Sequence, residues 1–368
     1  MTFGLLALCA GCAGAGRLSP AIGPAASAAA AGPLREIRNG ITVRLQWMHN
    51  FGYCGETSLI SAGLHYGQYV SQYDARRIAH PAIAQNLKGS ELLLTQNALT
   101  VARGMHLSAV GWDGSDRSSA AFLAWVKQMT ERGYPVAIGV YLNENYFYGS
   151  SDPRAGDAQY DHIVPVLAVR THHAVTDPRY YPDDALVFSD NGLNDPASAP
   201  GPRPGKWRPL LWYQYAYAFG AFARTRSQAN RPAAPVYSLP LTGPSPLPAD
   251  YGVAVTGVAD PQGETLPVSL QTSKYYEWPP IGKRSSVRPR SEELVLTVTV
   301  SGLQVGRAYT LYRYDRFDRV PDADFNRHSG SASAQWSIRL RSGSTYTLQQ
   351  RIRSDQMAIY RAVPSDGP

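Results

Sequence analysis

One of the three cysteines in this chain, Cys54, lies in surroundings that suit a nucleophile. A loop-like stretch containing Gly52 precedes it, and Leu59, Ile60 and Leu64 follow at helical spacing, so a helix is expected to begin at or near Cys54. A thiol at the N-terminus of a helix faces the positive end of the helix dipole, which favours the thiolate and lowers its pKa. The alternative is a small buried apolar residue, since unpaired cysteines are often buried.

A histidine and a carboxylate that could serve this thiol lie further along the chain. His162 begins the apolar run 163–169, which is typical of a buried strand and would hold the imidazole on a rigid element. The next apolar run, 185–189, is followed by Asp190 and Asn191. We prefer Asp190 as the group that holds the imidazole in one tautomer, with Asn191 as the alternative, because neighbouring strand positions point in opposite directions. An ordinary strand-ending turn competes with both.

Gln46 completes the set at the end of the extended stretch 41–45, upstream of Cys54. A side-chain amide at this point would donate to an oxyanion together with the backbone N–H of Cys54. Taken alone, a glutamine in a loop is a solvated residue, so Gln46 matters only as part of the set. The four residues together predict nucleophilic acyl transfer, in which a thiolate attacks a carbonyl and an imidazole moves the protons.

The order of these residues resembles the papain-like superfamily of cysteine peptidases, and most closely its C39-like branch of bacteriocin-processing peptidase domains. The matching elements span about residues 40–225 and are Gln46 with Cys54-Gly55, Leu64-His65-Tyr66-Gly67, the stretch 133–140, Asp161-His162-Ile163-Val164, and Ser189-Asp190. The resemblance implies a nucleophile at Cys54, a base at His162, an orienting carboxylate at Asp190 and an oxyanion donor at Gln46. It also implies a peptide or protein substrate.

The chain departs from that branch at two places. Glu56 follows Cys54-Gly55 where the branch usually has proline, and the polar stretch 143–160 is inserted before His162. The stretch from Tyr53 to Leu59 also resembles phytochelatin synthases, which keeps transpeptidation of γ-glutamyl peptides as an alternative. Hydrolysis and transfer share the acyl-enzyme, so the sequence leaves both open.

The composition limits the other classes of function. The chain has 368 residues, 44% of them hydrophobic, and a net charge of +7 whose basic residues are spread along its length, so a disordered chain is excluded and no nucleic-acid partner is expected. No metal-binding, nucleotide-binding or serine-hydrolase motif is found, and no cofactor or metal is expected. This length favours two domains.

The first 33 residues are typical of an export leader followed by a flexible tether. The start is short, apolar and rich in small residues, and Leu8 to Cys12 resembles a bacterial lipobox, which predicts a lipid anchor on Cys12 as an alternative to plain secretion. We therefore expect an exported protein, secreted or held at the cell envelope. Its mature body would contain one cysteine, Cys54.

The sequence predicts an α+β fold in which a papain-like domain, 34–226, precedes an all-β sandwich, 234–364. Short alternating runs separated by turn residues suggest the sandwich, which resembles fibronectin type III or immunoglobulin domains. Two other functions stay open beside the enzyme. One is an inactive papain-like domain kept as a binding module of the cell envelope, and the other is a structural envelope protein with an inert Cys54.

Overall fold

The computed structural model describes residues 32–46, 53–84, 88–94, 96–112, 118–193, 213–222, 225–239, 250–275 and 291–365. The helices within these ranges are α1 (Cys54–His65), α2 (Gln72–Ala79), α3 (Ala98–Gly104), α4 (Ser119–Glu131), α5 (Glu144–Tyr148) and α6 (Arg226–Ala229). The predicted leader, including Cys9 and Cys12, lies outside the described residues. None of the helices in the described part of the chain is long and apolar enough to cross a membrane.

The strands form antiparallel sheets. Their bounds are β1 (Arg35–Arg38), β2 (Gln68–Tyr69), β3 (Leu107–Gly111), β4 (Val136–Leu142), β5 (His162–Thr171), β6 (Ala185–Ser189), β7 (Gln214–Ala218), β8 (Tyr237–Ser238), β9 (Gly252–Val258), β10 (Val268–Thr272), β11 (Glu293–Ser301), β12 (Ala308–Tyr314), β13 (Ala334–Arg339), β14 (Thr345–Arg353) and β15 (Ala358–Pro364). Together with the helices they make a mixed α+β fold.

The largest sheet has the order β3-β9-β4-β5-β6-β7, with β1 paired to β5 and β8 paired to β4. At its centre lies β5, whose apolar run is buried along nearly its whole length, as the sequence predicts. In an antiparallel sheet the start of one strand lies beside the end of its neighbour. The start of β5 therefore meets the end of β6, which brings His162 and Asp190 to the same edge.

Helices cover both faces of this sheet. Leu59 and Ile60 of α1 share an apolar cluster with Ile163, whereas Phe122 of α4 shares a different cluster with Val164. Because successive strand residues point to opposite faces, the switch between Ile163 and Val164 is expected. The thiol-bearing helix therefore packs on the face towards which Ile163 points.

Two smaller sheets follow, one with the order β10-β11-β14 and one with the order β13-β12-β15-β2. Both contribute to one apolar cluster, for example through Leu296 and Val298 of the first sheet and Leu311 and Tyr360 of the second. Alternation of apolar residues along β11 buries every second side chain, which is the pattern of a half-exposed strand.

The observed sheets divide the chain differently from the predicted ranges 34–226 and 234–364. The strands β8 and β9 fall in the second range, yet both belong to the largest sheet. Conversely, β2 falls in the first range and pairs with β15. Alternation along a strand indicates which side chains are buried but not which strand is its neighbour, so the sequence pattern could not reveal these exchanges.

Candidate active site

Cys54 is the first residue of α1, as the sequence predicts, and the side chain is buried. Its Sγ accepts a hydrogen bond from the backbone N–H of Ile163 at 3.4 Å. Standard backbone geometry then puts the Cα of His162 within about 6 Å of the sulfur. Helix α1 and the start of β5 thus bring the predicted nucleophile next to the chain segment that carries the predicted base.

The prediction that the thiol has a lowered pKa is wrong for this structure. Burial raises the pKa of Cys54 to about 12, with smaller contributions in the same direction from the carboxylates of Glu56 and Glu91. The Ile163 N–H and Arg76 oppose the rise. A helix dipole is worth about 0.3–1 kcal/mol, whereas desolvation of a buried ionised group costs several kcal/mol, so burial outweighs the dipole. The thiol is protonated in this structure.

The imidazole of His162 is also buried and is held by residue 190. Its Nε2 lies 2.9 Å from the backbone carbonyl oxygen of Asp190. A carbonyl oxygen only accepts hydrogen bonds, so Nε2 must carry the proton of the neutral ring. The lone pair is consequently on Nδ1, and that nitrogen is the basic atom of the ring.

The carboxylate of Asp190 accepts two hydrogen bonds within the same edge of the sheet. Oδ1 accepts from the backbone N–H of Gly192 at 3.0 Å, and Oδ2 accepts from the hydroxyl of Tyr237 at 2.7 Å. The backbone of the residue that we preferred as the orienting group therefore contacts His162, while its side chain is fixed by a turn and by a tyrosine from β8. Nothing in the sequence pattern singled out Tyr237.

Asn191, the alternative orienting residue, makes different contacts. Its side-chain Nδ2, with two hydrogens to donate, lies within hydrogen-bond distance of three oxygens, namely the carbonyls of Cys54 and Ile163, at 3.3 and 3.2 Å, and the hydroxyl of Ser58, at 3.2 Å. Its φ of 56° lies in the left-handed region, which asparagine tolerates better than most residues. Asn191 thus ties α1 to β5, a role that the turn-like Asp-Asn-Gly sequence concealed.

The predicted oxyanion donor, Gln46, is hydrogen-bonded through its backbone to Asn191. Its backbone N–H donates to the carbonyl oxygen of Asn191 at 2.9 Å. Its side chain is 1% exposed, and neither Nε2 nor Oε1 has a hydrogen-bond partner among the described residues. A buried amide without partners costs about 1–3 kcal/mol, so its presence calls for a reason. A donor kept for a ligand's oxygen is such a reason.

The structure does not bring the thiol and the imidazole into a hydrogen bond. Among the described residues, the partner of the Cys54 sulfur is the N–H of Ile163 rather than the ring of His162. The His162 ring stacks instead on Tyr237, which belongs to the apolar cluster on the opposite face from Cys54. Proton transfer between the two therefore requires a side-chain rotation.

Glu56, one of the departures from the resembled branch, takes part in a buried ion pair. Its Oε1 lies 2.6 Å from Nε of Arg76 and also accepts from the N–H of Leu92 at 3.2 Å, and both charged side chains are fully buried. The Arg76 guanidinium lies over the ring of Tyr53, 3.7 Å from its centroid. This network fastens the first turn of α1 to α2, on the residues either side of Cys54.

The inserted stretch 143–160 is fastened at the residue before His162. The carboxylate of Asp161 pairs with the guanidinium of Arg226, with Nη1 to Oδ2 at 2.5 Å and Nη2 to Oδ1 at 2.7 Å. Asn230 donates to the carbonyls of Pro153 and Ala155, at 3.3 and 3.0 Å. Charge-assisted bidentate pairs are among the stronger side-chain contacts, so this insertion is well anchored beside the candidate site.

Within the described ranges, no group of three or more His, Cys, Asp and Glu side chains is placed to hold a metal ion. No family model, curated protein or solved structure matches this chain.

Proposed function

We propose that this chain is a thiol acyl-transfer enzyme, an exported cysteine peptidase or a close chemical relative that acts on a peptide or amide bond. One observation carries the proposal: the Cys54 sulfur at the start of α1 contacts the backbone of β5 beside His162, while residue 190 holds the His162 ring in one tautomer. If Cys54 served only to fill space in the core, it would not need a histidine next to it. That histidine would also not need to be held in one tautomer.

The proposed reaction begins with the thiol protonated, because burial raises its pKa to about 12. The thiol proton moves to Nδ1 of His162 as the sulfur attacks the substrate carbonyl carbon, and the carbonyl π electrons move to its oxygen. The backbone N–H of Cys54 and the Gln46 amide would donate to this oxyanion. Collapse breaks the bond to the leaving amine, which takes the proton from the imidazolium.

The remaining thioester would be resolved by water or by a second amine. His162 would deprotonate this acceptor and then return the proton to the sulfur. Catalytic hydrogen bonds are often long or misaligned before a substrate binds, so the absence of a thiol–imidazole bond among the described residues is compatible with this sequence of steps. The free chain would also sample the side-chain rotation that brings the thiol and Nδ1 together, so His162 would act on Cys54 without substrate as well.

The same proposal includes a papain-like domain, a β-sandwich and export of the protein. The support for a papain-like domain is a helix with an N-terminal cysteine packed against an antiparallel sheet whose central strand begins with histidine. The support for a sandwich is the single apolar cluster shared by two small sheets. Export, with a lipid anchor on Cys12 as one route, and the absence of a nucleic-acid partner rest on sequence alone.

A second candidate is an inactive domain that serves as a binding module of the cell envelope. The buried, protonated state of Cys54 favours it. Under this alternative the thiol would be a packing residue, and the orphaned Gln46 amide would have no explanation in the chemistry of the site.

The two candidates differ in whether an acyl-enzyme forms. We would expose the Cys9→Ser/Cys12→Ser variant, whose one remaining thiol is Cys54, to a set of peptide esters and follow its intact mass. The enzyme proposal predicts an added acyl group that hydroxylamine removes, that Cys54→Ser abolishes, and that forms about 10² times more slowly in His162→Ala. If no ester acylates Cys54, the binding module becomes the better proposal.

A further inference from the structure

We infer that Tyr237 is a positioning residue, which holds Asp190 and the His162 ring in the arrangement that presents Nδ1 as the base. The inference rests on the proposed function and adds to it a residue from outside the predicted set. Tyr237 belongs to β8, which pairs with the end of β4 and lies far along the chain from both residues that it contacts.

The first contact is a hydrogen bond to the carboxyl group of Asp190. The Tyr237 hydroxyl donates to Oδ2 of Asp190 at 2.7 Å, and both side chains are fully buried. Burial and the neighbouring Asp190 raise the pKa of Tyr237 well above its ordinary value, so the phenol stays protonated and remains the donor. The Tyr237 hydroxyl on Oδ2 and the Gly192 N–H on Oδ1 together hold both oxygens of the carboxylate. The backbone carbonyl of the same residue, which also accepts from the N–H of Leu193 at 3.1 Å, faces His162, and the held side chain adds to that restraint.

The second contact is made by the ring. Tyr237 stacks on the His162 imidazole with 6.2 Å between ring centroids and 29° between their planes. Tyr237 is in turn enclosed by the rings of Phe147, Phe188 and Tyr215, with centroid separations of 5.9, 5.7 and 4.9 Å. The enclosed ring limits the rotation of the imidazole, so the rotation that precedes proton transfer is assigned to the Cys54 side chain.

The two contacts explain why this buried position holds tyrosine. Phenylalanine would fill the aromatic enclosure equally well, and a buried hydroxyl is tolerated only when it has a partner. Here its partner is the carboxylate of the residue whose carbonyl oxygen sets the His162 tautomer. Removing the hydroxyl alone would therefore leave the packing intact while taking away the hydrogen bond from Tyr237 to Oδ2.

The test compares Tyr237→Phe with Tyr312→Phe in the Cys9→Ser/Cys12→Ser chain. The control substitution Tyr312→Phe also removes a hydroxyl that donates to a side chain, namely to Oδ1 of Asn326 at 2.9 Å. Tyr312 lies in the C-terminal sheets. The readout that a purely structural role would not move is the tautomer of His162, measured from the ¹⁵N shifts of its ring, with His162→Ala identifying the signals. A second readout is the rate of Cys54 alkylation by iodoacetamide at pH 7.

The inference predicts one Nε2–H tautomer in the parent chain and in Tyr312→Phe, and a mixture of tautomers in Tyr237→Phe. It also predicts that alkylation slows about tenfold in Tyr237→Phe alone, as expected for the loss of one buried hydrogen bond. Unchanged shifts and an unchanged rate in Tyr237→Phe would overturn it. Should that variant fail to fold, a mixture of tautomers in the parent chain would overturn it as well.

The outcomes separate this inference from the proposed function. If alkylation in the parent chain does not depend on His162, the proposed function fails, whatever the tautomer. A second outcome is that alkylation slows in His162→Ala, while Tyr237→Phe changes neither the alkylation rate nor the tautomer. In that case the proposed function stands and Tyr237 has no positioning role.

Discussion

The chemistry of the site depends on side chains that are buried without the partners that buried polar groups normally have. The Gln46 amide has no hydrogen-bond partner among the described residues, and the Cys54 thiol receives one weak bond, from an N–H. Such groups destabilise a folded chain unless a ligand completes them. At the scale of single residues, the presence of both groups beside one helix terminus supports the proposal that a ligand binds there.

Replacing Gln46 by alanine tests whether its amide serves the reaction. If the amide donates to the oxyanion, Gln46→Ala should slow acylation of Cys54 by peptide esters by about 10²–10³ while leaving the fold in place. Intact-mass kinetics would measure the rate, and urea unfolding the stability.

Gln68 offers a matched control for that change. Its side-chain amide is likewise buried without a partner among the described residues, but it lies in β2, which pairs with β15 rather than with the large sheet. In Gln68→Ala, Cys54 should therefore be acylated at the same rate as in the parent chain. Equal rates for Gln46→Ala and the parent chain would remove Gln46 from the mechanism.

The sequence predicts which elements carry Cys54 and His162, but not the surroundings of the two side chains. It placed Cys54 at the start of a helix and His162 at the start of a strand, because both follow from apolar periodicity close to them in the chain. It misjudged the thiol pKa, because burial of Cys54 depends on elements distant in sequence. The contacts of Tyr237 and Asn191 were out of reach for the same reason, since both link distant elements.

At the scale of elements, α1 is held by contacts at both of its ends. The Glu56–Arg76 ion pair fastens its first turn to α2, and β2, which follows its last turn, pairs with β15. The helix that carries the thiol therefore has little freedom to shift. Motion needed for proton transfer is expected in side chains rather than in α1.

Breaking the buried ion pair should destabilise the whole fold. Removing one partner leaves the other charge buried and unpaired, so Arg76→Met should lower the free energy of unfolding by about 3–5 kcal/mol. Urea denaturation at neutral pH would measure the loss. The double variant Glu56→Gln/Arg76→Met should recover part of it, because the second change removes the unpaired carboxylate.

A surface pair provides the comparison. Arg316 and Asp318 form an ion pair at 2.5 Å between two largely exposed side chains. Because exposed pairs contribute little, Asp318→Asn should leave the unfolding curve where it is. If Arg76→Met proved as harmless as Asp318→Asn, the ion pair would not be what fixes the first turn of α1.

At the scale of the whole molecule, the C-terminal sheets are not an independent attachment. Leu64 and Tyr69, from the region predicted as the first domain, are fully buried in the apolar cluster of the two small sheets. In the opposite direction, the buried Arg361 guanidinium of β15 donates to the carbonyls of Tyr66 and His106, at 3.4 and 3.5 Å. The sequence suggested two consecutive domains because patterning along a strand does not report its partners.

Removing the C-terminal sheets tests whether the rest of the chain needs them to fold. A chain that ends at residue 259 would expose Leu64 and Tyr69, each worth about 1.5–3 kcal/mol when buried, and would lose the partner of β2. We expect this fragment to show no cooperative thermal transition, whereas the full chain should show one. A fragment 1–259 that melts cooperatively would restore the view of two independent domains.

The most direct test of the central claim is the pH dependence of Cys54 alkylation by iodoacetamide in the Cys9→Ser/Cys12→Ser chain. A buried thiol with a pKa of about 12 and no base would react only as the pH approaches that value or after unfolding. We predict reaction already at pH 7–8, far below the pKa of the buried thiol, at a rate that drops by about 10² in His162→Ala. Equal rates in the parent chain and in His162→Ala at every pH would contradict the account and leave Cys54 as a core residue.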